Sequence, residues 1–379
     1  MTGTSRLHYL DNLRALAMLT GVVFHAALAY STVMHPYWPT ADPSHSLWVD
    51  AGVWFLHLFR MPLFFAIAGF FAAMLAERRG VGGLLRNRAS RVLLPLLIFW
   101  PIITLATGAM IPWAIGHVEH TPPLLTLLQQ GDLPSRPPGL AHLWFLAYLL
   151  LFYLIVWIAT AADWTVSHAW VLTNTPARLL GVAPLLLVPA LANVSAPTPA
   201  PEELLPQPWA IVYYGGFFLF GYALHHRPAI LEQMRLGPWA LGLASLIAYV
   251  TFLALLDRQT NRGVHLVIAV LEAYISVWMT VWCLQVGRRW LNRETPWLRY
   301  VSDSSYWTYL VHLPVVFALQ FLLIDWTAGW VTKLTVSTIA TLGICLTTYQ
   351  LAVRGRAIGR LLNGTRDAGT PASSSRQEV

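Results

Sequence analysis

Charge is what this sequence has least of. Only 11% of its 379 residues are Asp, Glu, Lys or Arg, against 56% hydrophobic ones. A soluble domain carries roughly 25% charged residues, so water is the wrong solvent for most of this surface. Cysteine is nearly absent as well. Cys283 and Cys345 both fall inside apolar runs, which excludes a disulfide framework. Metal and nucleotide motifs are missing. There is no HExxH and no glycine-rich phosphate loop, and the pair Gly82–Gly83 reads as a turn between basic residues. The 13 histidines lack ligand spacing, so no metal is expected. No basic–aromatic groove pattern signals nucleic acid. A cleavable signal peptide is also lacking: the run 13–33 is long enough to span and has no small-x-small cleavage site, so it is expected to remain as the first helix.

Long apolar runs are what the sequence does have. A bilayer core takes about 20 apolar residues per helix. Spans are expected at 13–33, 47–74, 92–111, 141–160, 176–194, 209–225, 236–256, 264–285, 303–325 and 328–352. The fold class is then all-α, a polytopic integral membrane protein with about ten transmembrane helices. Residues 1–12 form a cytoplasmic N-terminus, 13–352 the membrane domain, and 353–379 a disordered cytoplasmic tail. The last two spans meet in a tight turn near Asp325 and Gly329, and they are either full helices or a re-entrant pair. The formal charge of +7 fits this map. With the N-terminus inside, the inner segments collect Arg6 and Arg14; Arg78, Arg79, Arg86, Arg88 and Arg91; Arg178; Arg227 and Arg235; Arg288, Arg289, Arg293 and Arg299; and the tail from Arg354 through Arg366 to Arg376. Outside are Arg136, Arg258, Arg262 and Lys333. That asymmetry is the positive-inside bias, and it places both ends in the cytoplasm. The outer loops 112–140 (with Pro134, Pro137 and Pro138) and 195–208 (with Glu202 and Glu203) are proline-rich. They are plain loops or the walls of an entrance.

Ionisable groups inside these spans are costly unless paired, hydrated or neutral. Arg14 and His25 are eleven residues apart, three helical turns plus roughly 20°, and so share a face about 16 Å long. Asp11 lies one turn before Arg14 and can pair with it. His57 and Arg60 share a face of the second span. Pro62 leaves a carbonyl unpaired in the preceding turn, which some donor must meet. Glu272 in the eighth span is the one acidic group expected near mid-depth, with His265 on its face. That makes it the natural counter-ion for Arg60 or orienter of a histidine. His312 lies halfway along the ninth span, among Tyr306, Trp307 and Tyr309, and His142 and Trp144 open the fourth. Each has a structural reading: an anchor, a helix–helix hydrogen bond, an ion pair or an interfacial ring. Together they suggest a polar cavity reached from the inner face past Arg14.

The wording of these segments resembles the membrane acyltransferase-3 family. Tyr9-Leu10-Asp11-Asn12-Leu13-Arg14 followed by His25 carries the family's arginine and histidine separated by ten residues. The likeness continues through Arg60-Met61-Pro62-Leu63-Phe64-Phe65, Gly69-Phe70-Phe71, Arg88, Arg91 and Pro95, His142-Leu143-Trp144-Phe145-Leu146, and Ser305 to Pro314. The Arg-Met-Pro-Leu-Phe-Phe stretch is closest to the OpgC-like branch that succinylates osmoregulated periplasmic glucans. Ala68 departs from the serine common before the glycine. The resemblance implies about ten helices and transfer of an acyl group from cytoplasmic acyl-CoA to a sugar hydroxyl, with His25 and Arg14 as the essential pair. A second, soluble esterase domain is not expected after residue 352.

The site expected on these grounds puts His25, Arg14, Arg60 and Glu272 in catalysis. Arg14, Arg78, Arg79, Arg86, Arg88 and Arg91 would bind the acyl-CoA phosphates, and His57, His142, Trp144, Tyr306 and His312 would face the substrate. Acyl-CoA is a co-substrate, and no cofactor is expected to be tightly bound. The partners implied are a glycan acceptor, the lipid of a bacterial inner membrane and glucan-synthesis proteins. Arg60 would stabilise an oxyanion or bind the distal carboxylate of a succinyl group, and an acyl-histidine intermediate is equally compatible. Two rivals stand beside this reading: a proton-coupled transporter or flippase using His25, Arg60, Glu272 and His312, and a non-catalytic membrane partner.

Overall fold

The computed structural model describes residues 8–131, 139–162, 175–234 and 237–363. Arg6, Arg136, Arg235, Arg366 and Arg376, together with Pro134, Pro137, Pro138 and the expected tail from 364 onward, lie outside them. Among the described residues the chain is helical throughout, with no strand. The principal helices are α1 (His8–Leu28), α2 (Leu47–Arg88), α3 (Leu94–His117), α4 (Pro123–Gln130), α5 (Trp144–Ala161), α6 (Val188–Leu191), α7 (Pro208–His226), α8 (Pro238–Leu256), α9 (Arg262–Trp290), α10 (Pro296–Leu323), α11 (Trp330–Thr348) and α12 (Ala357–Asn363). Six helical stretches among the described residues are long and apolar enough to cross a membrane: Leu47–His117, Ala141–Ala161, Pro238–Leu256, Arg262–Trp290, Pro296–Leu323 and Trp330–Val353. The last two are both of spanning length.

Three expectations are corrected. The fifth span, 176–194, is not one helix. Arg178–Val182 is π-helical, Ala183–Leu186 is a 3-10 turn, and Val188–Leu191 is a single α turn. Pro184 and Pro189 each remove a backbone donor and clash with the preceding turn. The helix that carries the second span does not stop at residue 74, because α2 continues to Arg88. The basic segment is therefore helical rather than a loop. The break in it falls at Gly80 (φ 68°, ψ 168°), a conformation that favours glycine, and not at the Gly82–Gly83 pair.

Helix α2 packs against α7, α1 against α10, and α8 against α9. The α2–α7 crossing is backbone on backbone. A Cβ at Gly69 would stand 1.9 Å from the Phe218 carbonyl oxygen, and one at Gly221 would stand 1.7 Å from that of Ala66. Small residues of this kind let helices approach closely where no hydrophobic force drives them together. The unpaired carbonyl expected one turn before Pro62 is that of Leu58. Ser276 of α9 donates to it at 2.7 Å, and the Tyr213 hydroxyl of α7 lies 2.7 Å from Ser276 Oγ.

Two loops fold back into the helical body. The segment between α1 and α2 is pinned by a buried ion pair, Lys333 Nζ to Asp42 at 2.7 Å, with Lys333 also donating to the Ile324 carbonyl. Lys333, expected on the outer side, is buried. Gln320 donates to the Ala26 carbonyl at 2.8 Å, and Asp50 accepts from Ser31 Oγ and from the Thr32 N–H. The segment before α7 is held by Gln259, which accepts from the Ala196 N–H (3.0 Å) and donates to the Ala196 carbonyl (3.1 Å). The Leu140 N–H donates to the Glu202 carbonyl at 2.7 Å.

Gly69→Ala and Gly221→Ala are each expected to lower stability by about 1–3 kcal/mol, the usual cost of overpacking. Gly52→Ala, in α2 with nothing within 4 Å, is expected to be neutral. Thermal unfolding of the detergent-purified proteins reads the difference, and equal midpoints for all three variants would contradict the crossing.

Candidate active site

A cavity of about 1490 Å³ runs between the helices. Arg14, Arg79, Arg88 and Arg91 line it toward one end, and Tyr37, Trp38, Glu202 and Gln259 toward the other. His25, His57, Arg60, His142 and His312 lie along it. Helix α1 sets this order, since Arg14 and His25 are three turns apart on one side of it.

The histidines meet. His25 Nδ1 is 2.9 Å from His312 Nε2, so α1 and α10 are joined by an imidazole–imidazole hydrogen bond. His142, on the 3-10 turn before α5, lies edge-on to both rings, with centroids 4.9 Å from His312 and 6.4 Å from His25. His142 is buried, and neither of its ring nitrogens has a hydrogen-bond partner. Its carbonyl accepts from the Tyr309 hydroxyl at 2.7 Å. Among the described residues no group of three or more His, Cys, Asp or Glu is arranged to hold a metal ion.

Arg60 is 5% exposed, and its guanidinium carbon stands 4.1 Å over the Phe24 ring. Its Nε and Nη1 have no hydrogen-bond partner. A buried guanidinium stays charged and only donates, so these donors are open to water or an anionic group in the cavity. Glu272 does not meet them. Its carboxylate accepts from the Thr198 N–H at 3.0 Å, while the Thr198 carbonyl accepts from His57 Nε2 at 2.6 Å. The expected pairing of Glu272 with Arg60 or with a catalytic histidine is therefore corrected. Glu272 is absent from the cavity lining, and the Thr198 peptide stands between it and His57. Sequence spacing gave no sign of this, because the intervening peptide comes from a loop that folds inward.

Arg14 keeps the expected contact with Asp11 (3.6 Å) and reaches Ser302 Oγ of α10 (3.5 Å). Of the basic cluster, Arg79, Arg88 and Arg91 line the cavity. Arg78 and Arg86 are exposed and do not. Arg88 lies over Tyr153 at 5.0 Å, and the Tyr306 hydroxyl donates to the Arg91 carbonyl at 2.8 Å. Trp144 lines the cavity, packed against Tyr214 at 5.1 Å. Two residues missed by sequence reasoning belong here. Trp38 faces His25 nearly parallel (centroids 6.5 Å apart, 11°), and Trp54 lies edge-on to His57. Neither indole N–H has a partner. Trp54, Arg60 and His57 are close on α2, a pattern the sequence did carry.

The model of the acyltransferase-3 family, described as an acyltransferase domain, matches residues 7–350. The chain belongs to this family. An acyltransferase-3 protein with these apolar helices is a multi-pass protein of the bacterial inner membrane. The chain is 26% identical to the glucans biosynthesis protein C of Escherichia coli strain K12 over 372 residues, covering 95% of this chain and 94% of that protein. The protein of the same name from Escherichia coli O157:H7 matches with the same figures. No solved structure matches.

Glu272→Gln keeps an acceptor for the Thr198 N–H, whereas Glu272→Leu removes it. The glutamine variant is expected to retain near-normal stability, and the leucine variant to lose about 1–3 kcal/mol by leaving a buried donor unpaired. Thermal unfolding checks this, and an Arg60→Glu/Glu272→Arg double exchange is expected not to rescue either single change.

Proposed function

We propose that this acyltransferase moves an acyl group, acetyl or succinyl, from cytoplasmic acyl-CoA to a hydroxyl of a glucan or related glycan at the membrane. The observation that carries the reading is the cavity itself, with cationic side chains at one end and imidazoles along its middle. The family match supports acyl transfer, and the printed name of the relatives supports a glucan acceptor. Ten crossings with both ends in the cytoplasm accord with this. Helices α1, α2, α3, α5, α7, α8, α9, α10 and α11 and the broken stretch Arg178–Leu191 supply ten segments, and the arginines of the α2 extension then face the cytoplasm.

In this scheme Arg79, Arg88 and Arg91 receive the phosphates of the donor, and Arg14 lies further along its path. The thioester carbonyl comes to rest beside His25. Nε2 of His25 takes the proton of the sugar hydroxyl as that oxygen attacks the carbonyl carbon. Arg60 bears on the negative charge, whether it develops on the carbonyl oxygen or is fixed on a distal carboxylate. Collapse of the tetrahedral species breaks the carbon–sulfur bond, and the leaving thiolate takes the proton from His25. The products are an O-acyl glycan and free CoA. Glu272 acts at a distance by holding the Thr198 segment in the wall. No tightly bound cofactor is needed. Acyl-CoA and the glycan are the partners in turnover, with glucan-synthesis proteins as suppliers of the acceptor.

The test uses purified protein in lipid nanodiscs with acetyl- or succinyl-CoA and a periplasmic-type glucan. Thioester-dependent acylation is expected, falling at least about 10²-fold in His25→Ala with the unfolding midpoint preserved. Movement of labelled glucan across proteoliposomes without acylation would instead support a transporter. Trp38→Ala is expected to raise the KM for the glycan several-fold and leave that for acyl-CoA unchanged, since the Trp38 end of the cavity is the one away from the arginines. A rise in the acyl-CoA KM alone would reverse that assignment.

A further inference from the structure

The bonds made by His312, together with the Gly21 carbonyl that also accepts from the His25 ring, determine which nitrogen of His25 is basic. His312 Nδ1 lies 2.8 Å from the Tyr309 carbonyl oxygen and 3.1 Å from that of Thr308. Carbonyl oxygens only accept, so this nitrogen carries a proton. A neutral imidazole has one N–H, which leaves His312 Nε2 as an acceptor. Its neighbour at 2.9 Å is His25 Nδ1, and that atom must be the donor. The single proton of a neutral His25 is thus held at Nδ1, and its lone pair is at Nε2. The opposite tautomer of His25 would set two lone pairs against each other across 2.9 Å.

We propose that His312 is a positioning residue, which fixes His25 in the Nδ1–H tautomer and so makes Nε2 the base. The inference rests on the assignment of His25 as the base in the proposed acyl transfer. His312 plays the part that a carboxylate plays behind many catalytic histidines, but it is neutral. Its own tautomer is set by helix backbone: Thr308 and Tyr309 are four and three residues before it in α10, so α10 presents their carbonyls to the ring. No acidic group is required behind the base. That agrees with the position of Glu272, whose carboxylate is committed to Thr198. It also suits a cavity that already holds the Arg60 charge, because the pair holds only neutral rings until the hydroxyl proton arrives. When Nε2 takes that proton, His25 becomes an imidazolium whose Nδ1–H still donates to His312, and the same bond grows stronger by being charge-assisted.

The decisive measurement separates tautomer from turnover. Nitrogen-15 spectra of histidine-labelled protein in lipid, with the His25 signals identified by their loss in His25→Gln, report which ring nitrogen is bare. The wild type is expected to show a bare Nε2 and a protonated Nδ1 at His25. His312→Phe, which keeps a ring but no acceptor, is expected to weaken that preference, with the Gly21 carbonyl as the acceptor left. It should also lower kcat at least about 10²-fold, with both KM values within about twofold. His312→Gln places an amide oxygen where Nε2 stood and is expected to recover most of the lost rate. A purely structural His312 would instead lower the unfolding midpoint and both kinetic constants together, with no recovery by glutamine. A wild-type His25 protonated at Nε2 would overturn the proposal, as would a folded glutamine variant as slow as the phenylalanine one. If the wild type shows no acyl transfer with any donor, the transferase reading fails while the spectra still decide the tautomer. Should His312→Phe not fold, the wild-type spectrum and the glutamine variant carry the test.

Discussion

Hydrocarbon offers a polar group nothing to bond to, and that constraint orders the whole molecule. Every donor and acceptor taken into the helical body has to find its partner in the chain or in water admitted to a cavity. Most of the interior obeys the first alternative. Lys333 is closed off by Asp42 and the Ile324 carbonyl, Gln320 by Ala26, Gln259 by both sides of the Ala196 peptide, and Glu272 by Thr198. These bonds make loops into interior structure. The segments after α1 and before α7 are not covers laid over a bundle; they are packed into it.

Among the described residues, most exceptions on nitrogen cluster. Arg14, Arg60, Arg88, His57, His142, Trp38 and Trp54 each have at least one buried nitrogen without a partner and line the same cavity, while His225 Nδ1 and several threonine hydroxyls lie elsewhere. Polar groups with partners hold the fold, and those without are concentrated along the cavity. Glu272 and Arg60 illustrate the division. Both are buried charges on facing helices, yet one is committed to backbone and the other is left open.

The same division explains what could be read from sequence. Periodicity along one helix was reliable: Asp11 beside Arg14, Arg14 and His25 on one face, His57 near Arg60. Proline chemistry was reliable too, since the carbonyl left free by Pro62 does have its donor. Apolar length found most of the helices. It overestimated the stretch 176–194, where two prolines outweigh hydropathy, and it missed that the basic segment stays helical to Arg88. Contacts across the sequence were not legible. The meeting of His25 with His312 spans 287 residues, and nothing in either neighbourhood specifies it. Glu272 was matched to Arg60 by charge alone, and a loop peptide with no charge took it instead.

The chain of hydroxyls from Tyr213 to Ser276 to the Leu58 carbonyl ties α7 and α9 to the turn that Pro62 interrupts in α2. A proline inside a helix ordinarily leaves a soft joint. Here the joint is locked from two sides, two residues from the Arg60 side chain. The guanidinium field therefore points into the cavity before any ligand arrives. In the proposed transfer, folding has already met the cost of orienting that cation, and little reorganisation energy remains to be supplied when negative charge appears in front of it.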